Sequence, residues 1–194
     1  HAAELLQEEP GVSAGAQRLT MIIRDNTHRL DRMINNVQTL NHGERADRER
    51  VHFGSYLRAF VEQFLATEKL EVPVITLELT VDAHVMFDRD HLNQVLWNLC
   101  RNALRHSQRR AGSIRLVVGR SYRGNAVRLD VNDDGTGVPP ESRGKLFEPF
   151  FTTAPGGTGL GLYLAREICE ANGAVLEYVE SARGAQFSVV CATG

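Results

Sequence analysis

Apolar residues of this chain follow two different rhythms from about residue 55 onward. In 55–65, in 90–106 and after Gly161 they recur every three or four positions, which predicts helices with one buried face. Five shorter stretches, in which apolar residues alternate or cluster, are predicted as strands: 74–81, 113–119, 126–131, 174–179 and 185–191. This order of elements predicts an α+β fold, a two-layer α/β sandwich in which helices cover a mixed sheet.

The amino-terminal part shows a third pattern. In 19–40 the residues of one helix face recur in alternating steps of four and three, which is the spacing of a heptad seam. The seam has one polar member, Asn26, and consists of Leu19, Ile23, Asn26, Leu30, Met33, Val37 and Leu40. Because such a helix needs a partner, we predict an antiparallel helical hairpin that dimerises, with the end of its first helix in 2–9. One amphipathic helix lying on its own domain is the alternative. The polar stretch 41–50 predicts a linker.

Length and composition exclude few function classes. The chain has 194 residues, enough for one or two domains, and its formal net charge of −2 gives no case for nucleic acid binding. We find no apolar run long enough to span a membrane and no signal peptide. Cys100, Cys169 and Cys191 are widely spaced among apolar residues, which indicates core thiols in a reducing compartment. We therefore expect a cytoplasmic location.

The most informative segment is the glycine-rich turn GTGLGL at 157–162, directly before a predicted helix. The N–H groups and the dipole of a helix amino terminus suit phosphate, and glycines allow a close approach of the backbone. The dinucleotide fingerprint does not match, because Leu162 stands where a third glycine is required. The P-loop does not match, because Leu162 and Tyr163 replace its Lys and its Ser or Thr. The turn is predicted to bind phosphate in another way, with a flexible linker as the alternative.

Two asparagines lie one turn apart on the helix predicted for 90–106. Asn98 and Asn102 share a face of this helix, and Arg105 lies near that face. The two amides can offer oxygens to Mg²⁺ and N–H groups to phosphate. Two solvated asparagines are an equal alternative on this helix alone.

A carboxylate beside two glycines follows the strand predicted for 126–131. Asp133 can accept a hydrogen bond from an exocyclic amine, while Gly135 and Gly137 let a flat base approach. Residues 130–141 also satisfy the EF-hand calcium pattern. We reject calcium binding, because a strand stands where that motif needs a helix and two prolines interrupt its second helix.

Four segments together resemble the motifs of sensor histidine kinases, whose catalytic, ATP-binding domain belongs to the ATPase superfamily of gyrase and the heat-shock chaperones. They are the N box at 98–106, the G1 box at 133–137, the aromatic F box at 146–151 and the G2 box at 157–162. The resemblance covers essentially the whole chain. It implies a catalytic ATP-binding domain in 55–194, a linker in 44–54 and, in 1–43, part of the dimerisation and phosphotransfer hairpin.

The resemblance also implies roles for single residues. Asn102 would bind Mg²⁺, and it would act in catalysis together with Asn98 and Arg105, which would support the phosphates. Asp133 would hold the adenine amine. The full set of implied ATP-binding residues is Asn98, Asn102, Arg105, His106, Asp133, Gly135, Gly137, Thr153, Thr158, Gly159, Leu160, Gly161 and Leu162. Residues 138–157 would form a lid, as short as in nitrogen- and pilus-regulating kinases, with Ala154 where many relatives have Lys.

The implied reaction is transfer of the ATP γ-phosphoryl group to a histidine of the hairpin, for relay to the receiver domain of a response regulator. The full-length protein would be a homodimer, and any membrane anchor would lie outside this sequence. No histidine here is followed by an acidic residue and then proline, the family's acceptor pattern, so we expect the acceptor upstream of His1. Two alternatives remain: a non-catalytic nucleotide-binding or dimerisation module, and a serine kinase of the same superfamily.

Overall fold

The computed structural model describes residues 46–121, 126–154 and 157–194, together with five helical residues nearer the amino terminus, Gly15, Leu19, Thr20, Ile23 and Thr27. The hairpin predicted in 1–43 therefore lies almost entirely outside the described residues, as does the turn predicted around 123–125. Of the predicted heptad seam, Leu19 and Ile23 are described, and both are helical with exposed side chains.

The described residues from 46 onward form seven strands and four helices. In chain order they are β1 (Glu49–His52), α1 (Phe53–Thr67), β2 (Ile75–Leu79), β3 (His84–Phe87), α2 (Arg89–His106), β4 (Ile114–Arg120), β5 (Ala126–Asp133), α3 (Pro140–Arg143), α4 (Gly161–Ala171), β6 (Val175–Val179) and β7 (Gln186–Ala192). Every helix and strand predicted beyond residue 55 is present. The three elements that were not predicted, β1, β3 and α3, have four residues each, which is too short for a recognisable period.

Five strands form the main sheet in the order β2-β4-β5-β7-β6. β2 pairs with β4 in parallel, and the other neighbours are antiparallel, so the predicted mixed sheet is confirmed. On β4, alternate residues Ile114, Leu116 and Val118 are buried, which gives this strand one core face. β1 and β3 form a separate antiparallel pair.

Three helices pack on the main sheet, α1 against β2, α2 against β5 and α4 against β6. Helix α2 also packs along α4. All the apolar positions that the spacing predicts for α2 are buried: Leu92, Val95, Leu96, Leu99, Cys100, Ala103 and Leu104. The opposite face of α2 is therefore left to polar residues, among them Asn98 and Asn102.

β1 and the start of α1 lie within 44–54, the stretch predicted as a linker. Val51 and Phe53 are both buried in the core. β1 pairs with β3 along its whole length, from Glu49 opposite Phe87 to His52 opposite His84. This part of the stretch belongs to the folded domain, because it buries apolar side chains and satisfies its backbone by pairing.

Asn172, which follows α4, connects the two helices that reach the candidate site. Its Oδ1 accepts a hydrogen bond from the N–H of Asp88 (2.9 Å), and its Nδ2 donates to the Ile168 carbonyl (2.8 Å) and lies 3.0 Å from Nδ1 of His91. Asp88 in turn caps α2 at the N–H of His91 (3.1 Å) and accepts the N–H of Asp47 (3.0 Å). The start of α2, the end of α4 and the chain before β1 are thereby held together.

Candidate functional site

A cleft of about 350 Å³ lies beside α2, α3 and the amino end of α4. Its lining contains all but two of the residues that the sequence proposed: Asn98, Asn102, Arg105, His106, Asp133, Gly137, Thr153, Thr158, Gly159, Gly161 and Leu162. Leu146 and Phe151 of the aromatic segment also line it. Four motifs that are far apart in sequence therefore meet at one place.

The two exceptions, Gly135 and Leu160, stand behind the cleft. Leu160 is buried, and it caps α4 through its backbone, since its carbonyl accepts the N–H of Leu164 (2.9 Å). Gly135 packs against the end of α2, where a Cβ would overlap the carbonyl oxygen of His106. Both residues shape the cleft without lining it.

Asp133, the last residue of β5, is buried and held by backbone groups. Its Oδ1 accepts hydrogen bonds from the N–H of Gly135 (2.9 Å) and of Ala185 (3.1 Å). Its own N–H donates to the carbonyl of Ala185 (3.0 Å). Within the described residues Oδ2 takes no hydrogen bond, so this carboxylate presents one unused acceptor at the cleft.

A glycine in the turn between β6 and β7 makes this arrangement possible. Gly184 has φ +63°, and a Cβ there would overlap the carbonyl oxygen of Asp133. Gly137 also has a positive φ, and a Cβ there would lie 3.0 Å from the Gly184 carbonyl oxygen. We call Asp133, Gly135, Gly184 and Ala185 the Asp133 end of the cleft, because close backbone contacts fix this part of the site.

Part of the cleft wall is apolar, and one residue of it, Phe187, was not predicted to belong to the site. Val138, Leu146 and Phe187 line it. The Phe187 ring is held edge-on by Phe147 (centroids 6.3 Å apart) and Tyr178 (5.7 Å). A phenylalanine inside a strand is typical of core, so the sequence offered no signal that Phe187 also faces a cleft.

A second group of residues is polar and unpaired. The Nδ2 of Asn98 is buried without a hydrogen-bond partner, and Asn102 and Arg105 make no hydrogen bond with any described residue. Helix α4 begins beside them: a Cβ at Gly161 would lie 3.5 Å from Oδ1 of Asn98. No side chain caps α4, and its first turn has no acidic residue. We call Asn98, Asn102, Arg105 and the start of α4 the Asn98 end.

Unpaired donors are the chemistry that this end offers. A helix amino terminus supplies free N–H groups and a partial positive charge, both of which attract anions. A buried amide nitrogen without a partner is costly in an empty site and is satisfied by an oxygen ligand. The arrangement therefore fits a phosphate group.

Two glycines of the 157–162 turn are restricted by contacts within the chain itself. A Cβ at Gly157 would overlap Oγ1 of Thr152, and one at Gly159, where φ is +69°, would overlap the backbone of Phe150. These two glycines allow the turn to pack against the chain itself. Only Gly161 meets the Asn98 side chain at ordinary contact distance.

Charge in the cleft is sparse. The ionisable residues in its described lining are Arg101, Arg105, His106 and Asp133. Among the residues that the structure describes, no three His, Cys, Asp or Glu side chains lie close enough together to hold a metal ion. A metal at this site would therefore need ligands from the bound molecule as well as from the protein.

The sequence model of a family described as "Histidine kinase-, DNA gyrase B-, and HSP90-like ATPase" matches residues 87–193, more than half of the chain. The chain belongs to this family. The matched residues include every described residue that lines the cleft. The cleft is thus part of an ATP-binding domain of the type that forms the catalytic part of sensor histidine kinases.

Individual relatives are sensor kinases. The chain is 39% identical over 180 residues to the sensor protein kinase PilS of Pseudomonas aeruginosa, a match covering 92% of this chain and 34% of PilS. It is 37% identical over 111 residues to the sensory histidine kinase/phosphatase NtrB of Escherichia coli O157:H7, covering 53% of this chain and 32% of NtrB. The chain therefore spans about one third of the length of these curated relatives, and the resemblance inferred from its motifs is confirmed.

Among solved structures, full-length ShkA in complex with AMPPNP is similar to the chain with a TM-score of 0.74 and 24% identity, covering 100% of this chain and 42% of ShkA. At this identity the likeness concerns the fold, and it confirms the predicted α+β class. In the described part of the chain, no helix combines the length and the apolar character needed to cross a membrane.

Proposed function

We propose that the chain is the ATP-binding, catalytic part of a sensor histidine kinase, which transfers the γ-phosphoryl group of ATP to a histidine of a dimerisation hairpin. The observation that carries the proposal is the cleft itself. A carboxylate with one unused oxygen lies at one end, and unpaired phosphate-binding groups lie at the other. Membership of the ATPase family supports ATP as the ligand, and the similarity to PilS and NtrB favours a histidine kinase over other members.

The Asp133 end would bind the adenine base. The unused Oδ2 of Asp133 accepts the exocyclic amine, while Oδ1 stays occupied by two backbone N–H groups. Gly137 and the Phe187 side of the wall leave a flat, partly apolar space for the ring. A base with a carbonyl oxygen at that position would place two acceptors together, so adenine is favoured over guanine.

The Asn98 end would bind the phosphates. The Nδ2 of Asn98 and the guanidinium of Arg105 donate to phosphate oxygens, as do the free N–H groups at the start of α4. His106, Thr153, Thr158 and the backbone of Gly159 line the same cleft and would enclose the nucleotide. Residues 138–157 would act as the lid.

A magnesium ion fits the donor set at this end. Mg²⁺ prefers oxygen ligands and is usually bound by few protein groups together with substrate phosphates. Asn102 lines the cleft with an amide oxygen that no described residue uses. Asn102 would hold the ion together with the nucleotide, and the ion would neutralise phosphate charge when bound.

Catalysis would consist mainly of positioning. The base is fixed at Asp133, and Asn98 and Arg105 hold the phosphate chain so that its end is placed for in-line attack by a histidine nitrogen. The same donors stabilise the charge that spreads over the phosphate oxygens during transfer. The phosphoacceptor histidine would lie on the hairpin, with residues 1–43 as a part of that hairpin and 44–48 as its connection to the domain.

A response-regulator receiver domain would take the phosphoryl group from that histidine, and the full-length protein would act as a homodimer in the cytoplasm. These partners are proposed because PilS and NtrB are sensor kinases. The heptad seam supports the dimer, since Leu19 and Ile23 are helical and exposed and would gain from burial against a second helix.

The reaction is tested with the full chain, γ-labelled ATP, Mg²⁺ and a separate hairpin that carries a histidine acceptor. We expect acid-labile label on the hairpin, and loss of that label when the hairpin histidine is replaced by glutamine. ATP binding without any transfer would identify a non-catalytic nucleotide-binding module. Acid-stable label would identify a serine kinase of the same superfamily.

A further inference from the structure

Positive charge at the cleft comes from one face of α2. Among the described lining residues, Arg101 and Arg105 are the two with a permanent positive charge, and they lie one turn apart. The lid adds none to the described lining, because Arg143 and Lys145 do not line the cleft and the sequence from 151 to 162 contains no Lys or Arg. A nucleoside triphosphate carries several negative charges, so a second arginine at the cleft would attract it.

The Arg101 side chain contacts two residues that do not line the cleft. Its Nε lies 2.8 Å from Oε1 of Glu68, which follows α1, and its guanidinium lies 4.6 Å from the centre of the Trp97 ring. Of the two paired side chains, Arg101 is 54% exposed and Glu68 is 24% exposed. Ion pairs this exposed contribute little to stability, so the pair can exchange Glu68 for a more highly charged anion.

The direction of α2 decides which phosphate Arg101 can meet. The carboxyl end of α2 lies at the Asp133 end, where His106 packs against Gly135. Moving from there toward the start of the helix, Arg105 comes first, then Arg101 about 6 Å further along the axis, then Asn98. A nucleotide whose base is held by Asp133 extends its phosphates in the same direction.

We propose that Arg101 is a further phosphate-binding residue, which leaves Glu68 and binds the third phosphate of the nucleotide. The inference rests on the proposed function, because it takes ATP as the ligand. The planar guanidinium can donate two parallel hydrogen bonds to a terminal phosphate, and the Trp97 ring keeps it beside the cleft in both states. Arg101 therefore separates ATP from ADP, whereas Arg105 contacts phosphates that both nucleotides have.

The test compares the affinities of AMPPNP and ADP for the full chain in the presence of Mg²⁺, by calorimetry. Arg101→Met removes the charge and keeps an apolar stem over Trp97. We expect it to weaken AMPPNP roughly tenfold and ADP less than roughly twofold. Glu68→Gln frees Arg101 and strengthens AMPPNP by roughly two- to fivefold. The double variant binds as Arg101→Met does, because Glu68 acts only through Arg101.

A matched control is available on the sheet. Arg115 pairs with Glu78 in the same way, at 3.0 Å from Nε to Oε1, and does not line the cleft. Arg115→Met should leave both affinities unchanged. Equal loss of AMPPNP and ADP in Arg101→Met, or no loss of either, overturns the proposal in favour of a structural role. If the unmodified chain binds neither nucleotide, the proposed function fails and this inference fails with it, an outcome distinct from the other two.

Discussion

The two ends of the cleft are constructed in opposite ways. At the Asp133 end, backbone hydrogen bonds and glycine contacts hold the segments together. At the Asn98 end, a buried amide nitrogen has no hydrogen-bond partner among the described residues, and α4 starts without a side-chain cap. An unsatisfied buried donor costs about 1–3 kcal/mol of stability. The groups that would bind the base are thus already held in position. The donors at the Asn98 end would obtain their hydrogen-bond partners from the phosphate groups.

This difference predicts where substitutions harm the fold and where they harm binding. Changes that disturb the backbone contacts of the Asp133 end should affect stability and affinity together, whereas a change confined to the unused oxygen of Asp133 should affect affinity alone. Changes at the Asn98 end should separate the two, because the polar side chains there have no hydrogen-bond partner among the described residues. The predictions below run from the largest expected effect to the smallest.

Gly184→Ala should cause the largest loss. The new Cβ would overlap the Asp133 carbonyl oxygen, and alanine disfavours the φ of +63°. We expect the free energy of unfolding to fall by about 2–4 kcal/mol, measured by urea denaturation, and nucleotide affinity to fall with it. Gly144→Ala is the control, since a Cβ there meets no atom within 4 Å and should cause no loss. Equal effects of both variants would show that Gly184 is not sterically restricted.

Asp133→Asn should keep the fold and weaken ATP binding. The amide oxygen can still accept from Gly135 and Ala185, so the two backbone hydrogen bonds survive. The amide nitrogen then replaces the unused oxygen and meets the adenine amine as a second donor. Losing a hydrogen bond to a charged group costs about 2 kcal/mol, roughly a thirtyfold loss of affinity. An unchanged affinity for AMPPNP, with an unchanged melting temperature, would remove Asp133 from the base site.

Asn98→Leu should move stability and affinity in opposite directions. It replaces the unpaired amide by an apolar group of similar size, so we expect the nucleotide-free chain to gain about 1 kcal/mol of unfolding free energy. We expect AMPPNP affinity to fall at the same time, by roughly tenfold. Asn172→Leu is the contrast, since the Asn172 amide has three partners and its loss should only destabilise. If Asn98→Leu also destabilises, Asn98 has a structural partner in the free protein.

The sequence predicts those helices and strands whose position and buried face follow from a local pattern of apolar residues. The apolar spacing of α2 predicts its buried face, and the same spacing leaves Asn98, Asn102 and Arg105 together on the other side. β1 and β3 could not be predicted, because each has four residues and is stabilised by the other, across more than thirty residues of chain. Pairing at that distance leaves no local signal.

The sequence predicted that the glycines of the 157–162 turn allow a close approach of the backbone, but it did not predict which protein atoms they contact. Gly157 and Gly159 pack against Thr152 and Phe150, contacts within one loop whose path the residue types do not reveal. Phe187 similarly serves the core and the cleft wall with one ring. Residue type and spacing indicate that a position is restricted, and the three-dimensional neighbours decide whether a ligand or the chain itself imposes the restriction.

The smallest effect is expected at Asp134, which lies next to Asp133 and does not line the cleft. Its hydrogen bonds would help to hold the Asp133 end in place. Asp134 accepts hydrogen bonds from the N–H of Gln108 (2.9 Å), Arg110 Nε (3.1 Å) and the Ser113 hydroxyl (3.3 Å). The hydrogen bond from Gln108, opposed in part by burial and assisted by Arg110 and Ser113, lowers the pKa of Asp134. The stability that the ionised Asp134 carboxylate contributes is therefore complete above its unfolded-state pKa of about 3.9. This contribution is lost as the pH falls through the lower pKa of the folded state.

Asp134→Asn should consequently lower stability slightly at pH 7 and flatten the loss of stability below about pH 4, measured as urea midpoints from pH 7 to pH 2.5. Glu141→Gln is the control, because Glu141 is exposed and forms no ion pair within the described residues. If Asp134→Asn and the unmodified chain lose stability in parallel, the charge of Asp134 does not hold the Gln108–Ser113 loop. The glycine contacts would then be sufficient to fix the Asp133 end, and the two ends would differ by backbone packing alone.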